Sequence, residues 1–335
     1  MVGKLNLVLA GLFVFAVAVM ASTACAQRQK QQEIIDPAEA AKDPDFAIQG
    51  EYVGEGDLPG ELSGRVGAQV VARGDGKFEV YVLKGGLPGD GWKRKDLRIR
   101  VEGQREGDAV VFKGQGLSGK MAEGKMTITG EKGKATLARV ERKSPTLGEK
   151  PPAGAVVLYD GNGVEHFEKG AHVSDDKNLI SGTTTVDTFN NYQLHLELRL
   201  SWMPFAGGQG RSNSGVYIHD CYEIQVLDSF GLEGANNECG GFYSIKEPDV
   251  NLCFPPLVWQ TYDVDFTAPK YDADGKKTSN ARITLKHNGV VIHDNLELPK
   301  GTPGRRPEGP GPRPIHLQGH GNKVEYRNLW VVEKK

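Results

Sequence analysis

The sequence predicts an all-β protein, with a two-sheet sandwich in its C-terminal part and a smaller β-rich domain before it. Three observations carry this. Between residues 192 and 202, Tyr192, Leu194, Leu196, Leu198, Leu200 and Trp202 alternate with Gln193, His195, Glu197, Arg199 and Ser201. That is the period of two of a long strand with one face in a core. Residues 283–287 and 290–293 flank Asn288-Gly289, the residue pair preferred in the type I′ turn of a β-hairpin. Glycine supplies 44 of the 335 residues without a Gly-X-Y period, which fits many tight turns. No stretch carries the i, i+3, i+4, i+7 stripe of an amphipathic helix.

In chain order, residues 1–26 read as a signal peptide. Lys4 supplies the positive end, Leu5 to Met20 is an apolar run, and Ala24-Cys25-Ala26 offers small residues for cleavage before Gln27. The run is short for a transmembrane span, which takes about 20 apolar residues, so an exported protein is expected. Acylation of Cys25 is the alternative, although Ser22 stands where a lipoprotein signal normally has Leu. Residues 27–43 form a polar linker whose one apolar spot is Ile34-Ile35. From 44 to 142 come short strand-like segments at 78–82, 97–101 and 124–130 between glycine-rich turns. They predict a small sandwich or barrel without a catalytic constellation, a spacer or binding domain. Ser144-Pro145-Thr146 and Pro151-Pro152 mark a linker over 143–153, where few contacts should cross. The sandwich occupies 154–335, with further strands at 215–219, 222–227, 261–266 and 324–332.

The chain carries 41 Lys and Arg against 43 Asp and Glu, a net charge of −2. It has none of the basic stripe that nucleic-acid binding requires. Beyond Cys25 the cysteines are Cys221, Cys239 and Cys253. In an oxidising compartment, Cys239 and Cys253 bracket a loop and are expected to form a disulfide, leaving Cys221 as a buried thiol. Their spacing lacks the C-x-x-C pairs of zinc sites.

Chemistry in a sandwich sits on the polar face of its strands. The densest such stretch is 216–228, where Tyr217 and His219 share one face and Glu223 and Gln225 another. A bulge near Val226-Leu227 would turn Asp228 toward Glu223. The run Glu-x-Gln-x-x-Asp resembles the Glu-x-Asp-x-x-Glu strand of β-glucanases with concanavalin-like sandwiches. Here the middle acid is an amide, so a retaining mechanism with two carboxylates is not carried over. An ordinary solvated strand face explains Glu223 and Asp228 equally well. Arg211 and Asn213 enter the Tyr217 strand and could reach a cleft rim. His195, Glu197 and Arg199 either line the same face or form a cross-strand charge ladder. The Pro, Gly and Arg-rich loop over 303–314 is a surface loop that could wall the cleft.

Read together, these segments resemble the 3-keto-disaccharide hydrolase domain family over about residues 154–333. Asn213-Ser214-Gly215-Val216-Tyr217-Ile218 and Tyr222-Glu223-Ile224-Gln225-Val226-Leu227-Asp228 are similar to its central motifs, and the strand led by Trp259 to another. Leu285 to Gly289, Ile315-His316-Leu317-Gln318-Gly319-His320-Gly321 and Tyr326-Arg327-Asn328-Leu329 resemble its C-terminal signature, and Val157 to Gly161 its opening. Two departures bear on substrate choice: His219, where many members carry Arg, and the insert from Asn236 to Cys253. The resemblance implies a concanavalin-like jelly-roll sandwich that cleaves glycosides already oxidised at C3. Such chemistry needs a tuned base, a cation or donors near an enolate oxygen, and an acid for the leaving group. Glu223 is the expected base and His219 the second choice, with Asp228 beside them. Arg211 or a bound divalent metal could hold the enolate. Asn213, Tyr217, Gln225, Trp259, Gln318 and His320 are the expected contacts to a carbohydrate. A non-catalytic lectin-like module and a glycosidase for unoxidised sugar are the competing readings, since fold alone does not choose.

Overall fold

The computed structural model describes residues 33–334; the expected signal peptide, Cys25 and the first residues of the 27–43 linker lie outside them. Two β-structures follow one another along the chain. The first has strands β1 (Gly50–Asp57), β2 (Ser63–Ala72), β3 (Lys77–Lys84), β4 (Arg98–Glu106), β5 (Ala109–Gly114), β6 (Leu117–Ala122), β7 (Lys125–Thr129) and β8 (Lys134–Val140). Each pairs antiparallel with its chain neighbour, and β8 returns to β1, so the sheet closes into an eight-stranded barrel. Closure removes the exposed edges that an open sheet would carry. Alternate residues such as Val66, Val70, Val80, Val101, Phe112 and Ile128 fill its interior, as expected for a barrel of this strand number.

The sandwich has strands β9 (Val156–Tyr159), β10 (Leu179–Ile180), β11 (Thr183–Thr184), β12 (Tyr192–Arg199), β13 (Asn213–Ile218), β14 (Tyr222–Leu227), β15 (Trp259–Thr267), β16 (Ala281–His287), β17 (Val290–Leu298), β18 (His316–Leu317) and β19 (Glu325–Glu333). The larger sheet runs β9-β19-β12-β15-β16-β17, with β10 also on β19; the smaller runs β11-β18-β13-β14. Leu194, Leu196 and Val264 of one sheet and Val216, Ile224 and Val226 of the other belong to one buried cluster. Asn288 and Gly289 turn the β16–β17 hairpin at φ 50° and 79°, both left-handed as a type I′ turn demands. β12 stops at Arg199, short of the predicted end at Trp202. Trp202 instead joins the barrel's cluster and pairs through its backbone with Ile34.

Neither expected linker is free. In the first, α1 (Pro37–Ala40) and α2 (Pro44–Ile48) each start with proline behind an Asp cap, and Phe46 meets Trp202 edge-on at 5.1 Å. In the second, residues 144–149 lie across the outer face of the larger sheet. Outward residues of the barrel, Val71, Tyr81 and Leu83, pack into the sandwich's cluster with Leu87 and Trp92. The expectation of few crossing contacts fails because each unit leaves apolar surface that the other covers.

The expected disulfide is also corrected. Cys239 and Cys253 are free, buried thiols, as is Cys221. Cys239 Sγ lies 3.1 Å from the Tyr262 hydroxyl and within hydrogen-bonding reach of Cys253, whose Sγ also faces the Leu227 carbonyl at 3.5 Å.

Candidate active site

The β13–β14 hairpin sets the site. Its register pairs Asn213 with Leu227, Gly215 with Gln225 and Tyr217 with Glu223. Alternation therefore puts Asn213, Gly215, Tyr217, Glu223 and Gln225 on the outer face, while Val216, Ile218, Ile224 and Val226 enter the core. β18 lies alongside, with His316 opposite Tyr217 and the Gln318 amide donating to the Gly215 carbonyl at 2.8 Å. The 299–314 loop closes over this face, and the 236–253 insert pairs along its edge. From the 299–314 loop, Thr302 Oγ1 accepts from the Glu223 amide at 2.8 Å and the Pro303 carbonyl accepts from the Tyr217 hydroxyl at 3.1 Å. From the 236–253 insert, Gly240 and Gly241 bond the backbone of Gln225 at 2.9 and 2.8 Å. A strand face predicted to be wet is thus covered, and Glu223 keeps only 5 % of its surface exposed.

Burial pushes the Glu223 carboxyl up to about 7, against the opposing effect of the Tyr217 hydroxyl beside it. Burial and then Glu223 hold Tyr217 protonated well above the usual phenol range. Gly215 makes the room: a Cβ there would stand 2.5 Å from Glu223 Oε1. A sheltered carboxylate that titrates near neutrality suits a general base.

The other expected residues divide. Asn213 donates to the Gln209 carbonyl at 2.7 Å and Gln225 to Gln209 Oε1 at 3.3 Å, an amide chain along the floor. Asn213 Oδ1, Gln318 Oε1 and Arg211 Nη2 are buried without a hydrogen-bond partner, and such groups call for an explanation in a native structure. The bulge expected near Val226 is absent, since pairing runs in unbroken register from Asn213 to Ile218. Asp228 instead takes Arg211 in a buried ion pair, Nε to Oδ2 2.6 Å, which turns the carboxylate away from Glu223 and leaves Arg211 Nη2 as the unpaired donor. His219 and Asp220 form the hairpin turn at φ 55° and 52°. That turn swings the His219 ring onto Phe266, at 5.5 Å, and its Nε2 onto the Gly311 carbonyl at 3.0 Å. Burial, followed by Arg313, pushes His219 down to about 4. It is a neutral packing residue away from the Glu223 face. Trp259 lies on the other sheet under the guanidinium groups of Arg327 and Arg199, at 4.0 and 5.0 Å. His320 is exposed beyond the end of β18.

Sequence reasoning missed His316 and Arg305. His316 stands 5.7 Å from the Tyr217 ring, with Nδ1 3.0 Å from Thr184 Oγ1. Burial, then Arg305, pushes it down to about 4. Its signal was present: His316 and Gln318 flank buried Leu317 with a period of two. Arg305 lies in the loop foreseen as a cleft wall and is fixed by Asp220 at 2.6 Å.

A second polar cluster occupies the outer face of the larger sheet and matches the charge-ladder reading. His195 Nδ1 meets Asp263 Oδ1 at 2.6 Å, and Arg327 Nε meets Glu197 Oε2 at 2.7 Å. Burial opposes the charge on His195, but Asp263 and Glu197 prevail and raise it to about 9. Residues 144–149 seal this cluster: Thr146 Oγ1 donates to Asp263 at 2.7 Å and the Gly148 amide to Glu197 at 2.6 Å. Among the described residues, the group with metal-ligand spacing is Glu149, His195 and Asp263, not the Glu223 face. A groove of about 1040 Å³ crosses the outside of the barrel between Arg73, Arg100, Lys113 and Lys120. Its Glu79 carboxylate is already held by Arg73 and Arg100. Size and chemistry diverge here, and a sheltered acid titrating near 7 is the better mark of a catalytic site.

Residues 90–332 match the family described as the 3-keto-alpha-glucoside-1,2-lyase-like domain. The match begins between β3 and β4 and so reaches into the barrel, beyond the span of the recognised motifs. Three crystal structures from Parabacteroides distasonis, each described as a proposed glycosyl hydrolase, are similar. The first is 28 % identical with a TM-score of 0.50, covering 55 % of this chain and 86 % of that one. The second is 18 % identical with a TM-score of 0.40, covering 54 % and 95 %. The third is 19 % identical with a TM-score of 0.39, covering 54 % and 99 %. No curated protein matches the chain.

Proposed function

The chain belongs to the 3-keto-alpha-glucoside-1,2-lyase-like domain family and acts on glycosides, and from that premise we propose that its substrate is a glycoside carrying a ketone at C3. The ketone acidifies the proton on C2. Glu223 takes that proton, and the C–H electron pair forms a C2=C3 bond as the carbonyl pair moves onto oxygen. The enolate then collapses: the ketone re-forms, C1=C2 forms, and the C1–O bond breaks with the pair leaving on the departing oxygen, which takes up a proton. Water adding across C1=C2 completes a net hydrolysis. The observation that carries this reading is the sheltered Glu223 carboxyl, raised to about 7, which makes it a base matched to neutral pH.

The experiment pairs a 3-keto-disaccharide with its unoxidised parent and follows released monosaccharide. Release from the keto sugar alone is expected, and Glu223→Gln should slow it by about 10²–10⁴-fold. Equal release from both sugars would make the protein a conventional glycosidase, and binding without release would make it a lectin-like module. We also infer export from the apolar run before Gln27; an N-terminus at Gln27 on protein recovered outside the cytoplasm is its test.

A further inference from the structure

We propose that Arg305, positioned by Asp220, is the cation that receives the C3 oxygen of the sugar and stabilises the enolate. This rests on the reaction proposed above. The first expected cation, Arg211, is enclosed: its side chain is 3 % exposed, with Nε on the buried Asp228. Arg305 is 27 % exposed and borders the same face.

Its position is set residue by residue. Thr302 is bonded to the Glu223 amide, with Oγ1 accepting at 2.8 Å, and its own amide donates to the Cys221 carbonyl at 2.8 Å. The Pro303 carbonyl accepts from the Tyr217 hydroxyl. Gly304 has φ 100° and sits so close that a Cβ would stand 2.6 Å from that hydroxyl. The next residue is therefore delivered to the edge of the face formed by Glu223, Tyr217 and His316. There Arg305 meets Asp220, whose side chain is fully buried in the hairpin turn: Nε and Nη2 both lie 2.6 Å from Oδ1. Arg306 shares the carboxylate, Nε to Oδ2 3.0 Å. Two guanidinium groups on one carboxylate leave one positive charge over. Arg305 acts electrostatically on both Tyr217 and His316, so its field reaches the floor of the site.

The chemistry needs such a group. Negative charge develops on the C3 oxygen as Glu223 removes the C2 proton, and a fixed donor in a water-poor site is worth about 10²–10³ in rate. Asp220 touches no reacting atom in this scheme; it is a positioning residue that holds the guanidinium plane.

Enolisation is read separately from bond cleavage by following exchange of the C2 hydrogen of the 3-keto-disaccharide in D₂O beside monosaccharide release. Arg305→Gln should lose about 10²–10³-fold in both rates, with cooperative unfolding retained and an unchanged inflection near pH 7 from Glu223. Arg305→Lys keeps the charge and should recover part of the loss. Asp220→Asn should lose less than Arg305→Gln and add nothing in the double variant, as coupled residues do. An active wild type with a folded Arg305→Gln variant that exchanges C2 hydrogen as fast overturns the role of Arg305 alone. An Arg305→Lys variant no faster in C2 exchange than a folded Arg305→Gln also overturns it, since the positive charge would then play no part. A wild type inert toward the keto sugar overturns the reaction itself, and this role with it.

Discussion

Gly215→Ala tests the site through a residue with no chemistry of its own. The backbone of Gly215 lies outside the left-handed region, so alanine meets no conformational barrier there. Its Cβ would stand 2.5 Å from Glu223 Oε1, 3.0 Å from Cγ and 3.1 Å from Cδ, where ordinary contact begins at 3.4 Å. The carboxyl must therefore retreat by about 1 Å, and a misplacement of that size costs on the order of 10²-fold in rate. Stability should move little. The atom that yields is the end of a flexible side chain, and replacing glycine in a compatible strand gains about 0.4–1 kcal/mol through the unfolded state. The assay is monosaccharide release from the 3-keto-disaccharide at saturating substrate, beside a urea melt. The expected result is a loss of about 100-fold in kcat with the urea midpoint nearly unchanged. Combined with Glu223→Gln, the alanine should add nothing further, because both act on one group. A Gly215→Ala enzyme as fast as the wild type would refute the placing of Glu223 at the reacting bond.

Two further variants probe a buried charge and a sealed segment. Glu223 is raised from 4.5 to about 7 in the folded protein, so the native state holds this proton more tightly than the unfolded chain does. Its contribution to stability is present below about pH 4.5 and is lost as pH rises toward 7. Glu223→Gln escapes the penalty. It should match the wild type near pH 4.5 and exceed it above pH 7 by roughly 3 kcal/mol at most, and denaturant melts showing no such widening would remove desolvation as the cause of the shift. Ser144→Ala with Thr146→Val strips the bonds from residues 144–146 to Thr261 and Asp263, 2.6 and 2.7 Å long. A loss of about 1–3 kcal/mol and faster proteolysis within 143–150 are expected, with kcat unchanged; unaltered proteolysis would show that the segment does not depend on these bonds.

Local chemistry was legible in the sequence. Period-two alternation located β12, β14 and β15, Asn288-Gly289 located the β16–β17 turn, and alternation put Glu223 and Gln225 on one face. These signals need only neighbours two to four residues apart, because pleat and turn geometry act at that range. Tertiary structure decided what each face meets. For His195 and Glu197 the sequence left a cleft lining and a charge ladder equally open, and nothing local foretold that residues 144–149 would bury them. Alternation could not show that the turn at His219 sends its ring to Phe266, that Arg211 and Asp228 pair in the interior, or that two adjacent cysteines remain free thiols. The Glu223 face became a candidate site only when Thr302 and Pro303 closed over it, and its cation arrived from 85 residues away, across the Asp220–Arg305 pair. Such pairings are settled by burial and by the demand that every sheltered polar group find a partner. No local period records them.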